Sequence, residues 1–462
     1  MASSEYDAEL RFYGGVGGSI GGNTVVLSIK KGKNSLSYFF DCGVNLQQYS
    51  RHKDLGGKLD RLEQYHRWRF FPEFEKTEVR ACFISHGHND HWLAVPALAK
   101  STFSPNVIWS TRTTRQLISR PELLITEKSF SLDPFGYREY YYDDKALQEN
   151  VKVSVAQFPV DHSVPGACAY IVELENDTLV YTGDFRDHGV LSDKVEMQFW
   201  QYVKTRSRNR NTLLITEGTN YGTPYRFNTE DDVKKRLATI FRNYAEELLV
   251  LVVNEKDVWR LMMIQDALEH LETSTEISRQ VVYAESIGKL VTRIRQTINE
   301  DYKRVLDKTT LETYTNWLGV GENQILSEPS IRRVVEKPSR YVVVATRRSG
   351  LTICDLLADK MKYKTAGGCC ILSLSEIFEE EAGISTREYA KKISELGFSV
   401  EEVHSSGHIY PSRLVNIIGH LQPKKVFVMH TVAPQGLKSF IEKRTSIDVI
   451  APDAGTPYPV HE

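Results

Sequence analysis

One short polar segment constrains this chain more than any other feature. It reads ACFISHGHNDHW, and His86, His88, Asp90 and His91 fill four of the six positions 86–91. Residues two apart in an extended chain point the same way, so His86 and His88 can grip one metal ion while Asp90 and His91 enter a helix and turn toward a second. A solvated polar loop is the ordinary alternative, but it does not explain four ligand-type side chains directly behind an apolar strand. The segment therefore predicts a site for two ions.

Further candidate ligands each follow another predicted strand. His162 follows VSVAQFPVD, Asp184 follows LVYTG, and His430 follows VFVM. Singly, each has a plainer explanation, a surface or capping His or a turn Asp, but the repeated placement favours one shared site. Imidazole and carboxylate donors suit Zn²⁺, or Mn²⁺ where oxygen ligands predominate, and two ions about 3.5–4 Å apart can share a bridging hydroxide.

Composition limits the class of protein. The 462 residues are 41% hydrophobic and 26% charged, which is typical of a soluble globular protein of two or three packed units. A net charge of −2 gives no general attraction to phosphate backbones or anionic membranes, so any contact with nucleic acid must be local. The six cysteines form no CxxC pair, and no signal peptide or apolar span is evident. We expect an unprocessed cytoplasmic protein that binds no membrane.

The texture of the sequence changes along the chain. Roughly the first two hundred residues alternate short β-rich runs with polar punctuation, and helices are predicted at Asp90–Lys100 and Leu59–Phe74. From about Glu230, longer amphipathic helices alternate with short apolar strands, which indicates a separate α/β domain. A last helix precedes strand-like segments that carry further histidines.

A run of six glycines within the nine positions 14–22 invites a nucleotide-loop interpretation. The details exclude it, because Ile20 stands where a GxGxxG motif needs glycine and Asn23 where a Walker A loop needs lysine. A glycine-rich hairpin, or a close approach of backbones at the start of a sheet, is the prediction that remains.

Together these motifs resemble a known family. In order along the chain they are GGVGGSIGGN, FFDCG, HGHNDH, DHSVPGA, TGDFR, LLITEGTN, KPSRYVVVAT, HSSGH and the strand-ending His430. Their order and spacing resemble the metallo-β-lactamase fold, within it the β-CASP nucleases, and most closely ribonuclease J. The resemblance implies an α/β fold, an αββα sandwich with an inserted α/β β-CASP domain. We expect the first part of the sandwich in 1–221, the β-CASP domain in 222–380 and the returning part in 381–462, a compact form without the usual additional C-terminal domain.

The resemblance also implies roles for particular residues. One ion would be held by His86, His88 and His162, and a second by Asp90, His91 and His430. Asp184 would bridge the two ions, and Asp41 would orient ligands from behind. Glu217 would hydrogen-bond a catalytic or ligating histidine, and His408 would be the proton donor or transition-state stabiliser. A phosphate pocket would be formed by His404, Ser406 and Gly407.

The function implied is metal-dependent hydrolysis of RNA, single-stranded above all, by a two-metal bridging hydroxide. Cleavage would be endonucleolytic, with 5′→3′ exonuclease activity as an additional mode, and would leave 5′-phosphate and 3′-hydroxyl ends. A histidine at position 430 favours RNA, because the DNA-repair branch carries an apolar residue there. Alternatives are a DNA nuclease or a small-molecule hydrolase of the same fold, or a nuclease subunit that depends on a protein partner. A homodimer is also compatible with the family.

Candidate RNA contacts are basic or aromatic. Arg206 and Arg208 lie with Lys204 and Arg210 in KTRSRNR, and Arg347 and Arg348 form a second basic pair. Solvated loops are the alternative for both. The aromatic segment 137–143 can stack on bases or serve the surface or core. Two motifs depart from ribonuclease J: Thr431-Val432 replaces the residues after the last histidine of HGE, and ATRRSGL replaces a glycine-rich turn.

Overall fold

The computed structural model describes residues 6–46, 49, 78–105, 107–118, 130–131, 140–143, 152–223, 229–275, 277–303, 305–361, 368–375 and 384–461. The chain forms two compact units. The first comprises Met1–Tyr225, Glu300–Val305 and Gly407–Glu462, and the second comprises Arg226–Asn299 and Leu306–Ser406. Strands and helices are numbered along the chain.

Two seven-stranded sheets make up the first unit. One runs in the order β19-β1-β2-β3-β4-β5-β6 and the other in the order β18-β17-β11-β10-β9-β8-β7. The strands of the first sheet are β1 (Asp7–Gly14), β2 (Thr24–Lys31), β3 (Asn34–Phe40), β4 (Glu78–Phe83), β5 (Val107–Trp109), β6 (Phe130–Ser131) and β19 (Tyr458–Pro459). Those of the second are β7 (Tyr140–Asp143), β8 (Lys152–Pro159), β9 (Cys168–Glu173), β10 (Asp177–Tyr181), β11 (Asn211–Glu217), β17 (Lys425–Met429) and β18 (Asp448–Ile450).

Alternating apolar residues bury both faces of the first sheet. In β2, Val25 and Leu27 enter a core shared with the second sheet, to which Tyr170, Ile215 and Phe427 also belong. The intervening side chains enter another core, formed with helices on the opposite face. The helices of this unit are α1 (Asn89–Trp92), α2 (Val95–Ala99), α3 (Arg112–Ile118), α4 (Ser192–Arg206), α12 (Pro411–Leu421) and α13 (Pro434–Thr445). The layers are those of an αββα sandwich.

A five-stranded parallel sheet organises the second unit, in the order β13-β14-β12-β15-β16. Its strands are β12 (Leu249–Val253), β13 (Gln280–Tyr283), β14 (Tyr341–Thr346), β15 (Cys369–Ser373) and β16 (Ser399–Glu402). Its helices are α5 (Glu230–Asn243), α6 (Val258–Ser274), α7 (Glu285–Tyr302), α8 (Lys308–Trp317), α9 (Glu328–Glu336), α10 (Arg347–Met361) and α11 (Thr386–Glu395), with two 3₁₀ turns at Glu322–Gln324 and Pro338–Arg340. The last turn of α7 belongs to the first unit.

Two predictions of the sequence meet a different arrangement in the structure, and a third falls on residues that the structure does not describe. The single helix expected over Asp90–Lys100 is two short helices, α1 and α2, because Pro96 in the first turn of α2 has no N–H with which to continue α1. The helix expected at Leu59–Phe74 lies outside the described residues. The units divide at 225/226 and 406/407 rather than at 221/222 and 380/381, since β16 pairs with β15 and holds the segment before Gly407 in the second unit.

Among the helices that the structure describes, none combines the length and the apolar character that crossing a bilayer requires.

Candidate metal centre

Three imidazoles meet beyond the ends of β4 and β8 and form a first donor set. The Nε2 atoms of His86 and His162 each lie 3.1 Å from Nδ1 of His88. Burial, assisted by the neighbouring imidazoles, lowers the pKa of both His86 and His162 well below the usual value. These rings are therefore neutral, the form in which an imidazole binds a metal ion.

A second donor set lies beside the first and combines Asp90, His91 and His430. Oδ2 of Asp90 lies 3.0 Å from Nε2 of His430 and 3.4 Å from Nε2 of His91. Asp90 and His91 come from α1, whereas His430 follows β17, so residues 340 positions apart meet here. All three side chains are buried.

Asp184, just after β10, is common to both donor sets. Its Oδ2 lies 3.6 and 3.9 Å from Nε2 of His86 and His162, and 3.2 and 3.7 Å from Nε2 of His91 and His430. Burial alone would raise the pKa of this carboxyl group, but the charges of His430 and His91 hold the pKa well below its usual range. The single carboxylate oxygen is thus ionised and placed to serve two adjacent ions.

The outer nitrogen of four of these rings faces a fixed oxygen atom. The Nδ1 contacts are His86 with Ser85 Oγ at 3.0 Å, His91 with Asp41 Oδ2 at 2.7 Å, His162 with Gly407 O at 2.6 Å, and His430 with Thr219 Oγ1 at 2.5 Å. An Nδ1–H that donates to each oxygen leaves the lone pair of Nε2 directed into the donor sets. Neutral rings that donate Nδ1–H to these oxygens would have the tautomer that metal binding requires, and the donors present fit divalent ions.

Asp41 anchors this arrangement from behind. Its buried carboxylate accepts hydrogen bonds from the Ser85 amide at 2.6 Å, the Ser85 hydroxyl at 2.7 Å and the Tyr181 hydroxyl at 2.6 Å, in addition to the His91 contact. One carboxylate thus fixes a ligand of the second set and, through Ser85, a ligand of the first. The role that the family resemblance implies for Asp41, that of orienting ligands from behind, stays a prediction.

Two residues of the centre adopt left-handed backbone conformations. Asp41 has a φ of 60° at the end of β3, and His430 has a φ of 52° at the end of β17. Residues other than glycine rarely adopt this backbone conformation, which costs about 1–3 kcal/mol for each residue. The backbone N–H of His430 donates to the carbonyl of Gly15 at 2.5 Å, which holds the turn in place.

Glu217 and His408 form a pair next to Asp184. The buried carboxylate of Glu217 accepts hydrogen bonds from the amides of Thr219 at 2.8 Å and Ile409 at 3.0 Å. Nδ1 of His408 lies 3.3 Å from Glu217 Oε1 and 3.8 Å from Asp184 Oδ2. Burial opposes a charge on His408, but these two carboxylates outweigh it and raise the pKa of the imidazole. The imidazole of His408 is therefore more basic than a free imidazole.

The glycine run closes a tight loop beside the centre. Gly15 donates its amide to Gly21 at 3.0 Å, and a Cβ on Gly14 would lie 1.7 Å from the carbonyl oxygen of Gly22. The predicted close approach of backbones is confirmed. Asn23, which ends the run, was not singled out by the sequence, yet its buried Nδ2 lies 3.0 Å from His91 Nε2 and 3.2 Å from Asp90 Oδ2. Its position directly after the glycines was the available signal.

Thr219 is a second residue that sequence reasoning missed. The sequence lacks the carboxylate that ribonuclease J carries after the last histidine, and Thr431 instead donates its hydroxyl to the carbonyl of Tyr221 at 3.1 Å. The hydroxyl of Thr219 donates to the carbonyl of His430 at 3.1 Å and so can accept from Nδ1 of the same residue. Support for His430 thus comes from the Glu217 segment rather than from its own.

The basic segment does not line the donor sets. Arg206 and Arg210 are both ion-paired with Glu173, whereas Arg208 and Lys204 are exposed. The segment precedes β11, whose seven residues span roughly 20 Å, and Glu217 ends that strand. The basic side chains therefore lie at the far end of β11 from the candidate metal centre.

The remaining candidates are distributed between the units. Gly407 belongs to the first unit, where its carbonyl contacts His162 and a Cβ would lie 3.1 Å from Cε1 of that ring. His404 and Ser406 follow β16 in the second unit. There Arg347 donates to the carbonyl of Ile384 at 2.6 Å, while Arg348 is exposed. The side chains of the aromatic segment 137–143 lie outside the described residues.

Comparison with known proteins identifies the fold of the first unit. The family model described as "Metallo-beta-lactamase superfamily" matches residues 56–189. The chain therefore carries a metallo-β-lactamase domain, a fold that binds divalent metal ions. The crystal structure of a protein of unknown function from Enterococcus faecalis V583 has a TM-score of 0.62 and 17% identity, and the match covers 98% of this chain and 100% of that one. At this identity the likeness shows the fold alone.

Two similar proteins carry the name ribonuclease J. That of Mycoplasma genitalium is 26% identical over 196 residues, which cover 41% of this chain and 32% of the relative. That of Mycobacterium tuberculosis is 23% identical over 447 residues, which cover 89% of this chain and 70% of the relative. The chain thus spans about a third of the first relative's length and more than two thirds of the second's.

Proposed function

Because the chain carries a metallo-β-lactamase domain and is similar to proteins named ribonuclease J, we propose that it is a metal-dependent ribonuclease. One observation carries the proposal: seven donor side chains form two adjacent sets that share Oδ2 of Asp184. Two adjacent ions suit the hydrolysis of a phosphodiester, because the attacking oxygen and the leaving oxygen both need charge stabilisation. The ions proposed are Zn²⁺, or Mn²⁺ as the alternative.

When bound, two divalent ions supply an activated water and neutralise the charge that develops on the phosphate. The chain's own residues do the rest. Asp184 holds the two positions together, and Asp41 keeps His91 in the tautomer that the second position needs. His408, charged beside Glu217 and Asp184, donates a proton to the leaving 3′ oxygen. The products are 5′-phosphate and 3′-hydroxyl ends.

RNA is the proposed substrate, single-stranded above all, and cleavage is endonucleolytic with 5′→3′ exonuclease activity as a further mode. The names of the relatives support this choice. With a net charge of −2, the affinity for phosphate must come from the ions and from local contacts such as Arg208, Arg348, His404 and Ser406 rather than from a general field.

The test is hydrolysis of 5′-labelled RNA and of single-stranded DNA of the same sequence, by one protein preparation loaded with Zn²⁺ or Mn²⁺. RNA cleavage is expected to be abolished in Asp184→Asn and reduced by about 10²–10⁴-fold in His408→Gln, the usual contribution of a general acid. Asp177→Asn is the matched control, because this buried carboxylate contacts Asn211 and His461 rather than a metal donor.

Preferential cleavage of the DNA would make the chain a DNA nuclease, and an inactive wild type with two bound ions would contradict the proposal. Comparing the degradation of 5′-monophosphate RNA with that of 5′-triphosphate RNA tests whether the protein recognises the 5′ end. If only the monophosphate is degraded from its end, substitution of His404 or Ser406 is expected to remove that preference.

A further inference from the structure

The amide of Asn23 lies among the donor atoms of the second set. Its side chain is 0% exposed, and Nδ2 lies 3.0 Å from His91 Nε2 and 3.2 Å from Asp90 Oδ2. The other donor separations around this position run from 3.0 Å for Asp90–His430 to 3.7 Å for His430–Asp184. Donors bonded to one ion at about 2.1 Å stand roughly 3.0–3.4 Å apart. The inner atom of the Asn23 amide has the spacing of a further donor.

The other end of the amide has no competing contact. Oδ1 of Asn23 is buried and accepts no hydrogen bond from any residue that the structure describes. A half-turn about χ2 exchanges Oδ1 and Nδ2, so the oxygen can take the inner position without any movement of the backbone. The backbone is held by a hydrogen bond from the Asn23 amide to the carbonyl of Asp90 at 2.8 Å.

Chemistry decides between the two orientations once an ion is present. Nδ1 of His91 faces Asp41 Oδ2, so a neutral ring that donates there would present the lone pair of Nε2 to the inner atom of the amide. A metal ion needs the same lone pair, and a cation repels an N–H and attracts a carbonyl oxygen. The glycine run leaves room for the amide, because a Cβ on Gly15 would lie 2.1 Å from Asn23 Oδ1.

We propose that Asn23 donates its side-chain oxygen to the ion held by Asp90, His91 and His430. This inference rests on the proposed two-ion centre. The two positions then differ, because the first is rich in imidazole, which suits Zn²⁺, while the second gains an oxygen and a higher coordination number, which suit Mn²⁺. The glycine run would then have a structural role, because the absence of a side chain at Gly15 leaves space for the amide of Asn23.

The test is titration of the metal-free chain with Co²⁺, followed by calorimetry and by the visible absorption of the bound ion, which weakens as its coordination number rises. Wild type is expected to bind two ions. Asn23→Ala is expected to bind the first as wild type does and the second about 10–100-fold more weakly, with stronger absorption. Asn23→Asp, which keeps the size and the oxygen, should bind the second ion at least as tightly as wild type.

Asn220→Ala is the matched control, because it removes another buried amide of the first unit, one that donates to the carbonyls of His408 and Ile409. Thermal unfolding without metal checks that each variant folds, and Asn23→Asp carries the test if Asn23→Ala does not fold. Two ions bound with wild-type affinity and spectrum by Asn23→Ala, or weaker binding by Asn23→Asp, would overturn the inference. If wild type cleaves RNA, the proposed function stands whatever the Asn23 variants do. If wild type binds no pair of ions, both the proposed function and the inference about Asn23 fail.

Discussion

At the scale of single residues, the candidate centre depends on side chains that touch no ion. Asp41 receives hydrogen bonds from Ser85, Tyr181 and His91, and through them it fixes members of both donor sets. Thr219 does the same for His430. Such partners of metal ligands commonly change metal affinity by about 10–100-fold when they are lost.

Asp41→Asn is expected to weaken metal binding by about 10–100-fold, because an amide can neither accept all the donors that converge on this carboxylate nor hold the His91 tautomer. Metal content after dialysis against graded chelator measures the effect. Asp177→Asn, a buried carboxylate whose histidine partner is His461, should retain its metal. Equal loss in the two variants would show that general destabilisation is responsible.

Thr219→Val removes the hydroxyl from Nδ1 of His430 while keeping the size of the side chain. We expect weaker binding of the second ion, restored by Thr219→Ser, with little change in the first. The matched control is Thr178→Val, because the buried Thr178 hydroxyl makes no hydrogen bond to a residue that the structure describes, so its loss should be nearly neutral. Calorimetric titration of the variants decides, and unchanged affinity in Thr219→Val would contradict the role.

Residues at strand ends could be predicted from the sequence, whereas their supports could not. Four ligand-type side chains that directly follow an apolar strand are a recognisable pattern, and they are His86, His88, Asp90 and His91. Asn23 and Thr219 stand in ordinary-looking positions, and their contacts depend on turns with positive φ, as at His430. Likewise, the charge of Arg206 is evident in the sequence, but its pairing with Glu173, 33 residues earlier, is not.

At the scale of elements, the end of α7 supports the loop that carries His162. Asp301 accepts hydrogen bonds from the amides of Arg112 at 3.3 Å and Thr113 at 2.7 Å, at the start of α3. Next to it, the hydroxyl of Tyr302 accepts from the amide of Gly166 at 2.7 Å. The last turn of α7, which belongs to the first unit, therefore holds a ligand-bearing loop of the same unit.

The Asp301 carboxyl group predicts a pH dependence of stability. Burial raises its pKa to about 6, above the value of about 3.9 expected in the unfolded chain. Between these values the folded state binds a proton that the unfolded state has lost, so this contribution to stability is present below about pH 4 and is lost as the pH rises to 6. The size is about 3 kcal/mol in the free energy of unfolding.

Asp301→Asn should remove this decline, so relative to wild type the variant gains stability between pH 4.5 and pH 7. Urea unfolding of both proteins at the two pH values measures the difference. Asp307→Asn is the control, because Asp307 also caps a helix, by accepting from the Thr310 amide, but does so near the surface. The same pH slope in wild type and Asp301→Asn would refute the assignment.

Elements were predicted unevenly from the sequence. Strand β14 has the bounds that its apolar run indicates, since YVVVAT is buried along nearly its whole length. The helix expected after the histidine motif is interrupted because Pro96 acts locally, and apolar periodicity does not register a missing N–H. The placement of β16 could not be predicted either, because an exposed strand with the sequence SVEE carries little apolar pattern.

At the scale of the whole molecule, every donor of the candidate centre belongs to the first unit, and the second unit has an apolar core of its own. Bound ions therefore stabilise one unit directly. At a free-ion concentration of about 100 times the dissociation constant, this amounts to about 2.7 kcal/mol per site.

Calorimetric unfolding is accordingly expected to resolve two transitions. Zn²⁺ should raise the midpoint temperature of only one of them. Chelator should reverse the shift, and His430→Ala should reduce it. A common shift of both transitions would show that the units unfold together.

The position of His430 has a consequence for biosynthesis. A ribosome delivers His86 first and His430 only 344 residues later, and β17, which pairs with β11 and leads into His430, emerges late as well. Until His430 has emerged, the second donor set consists of Asp90 and His91 alone. A chain synthesised in this order cannot complete its second donor set until nearly the whole sequence has been made.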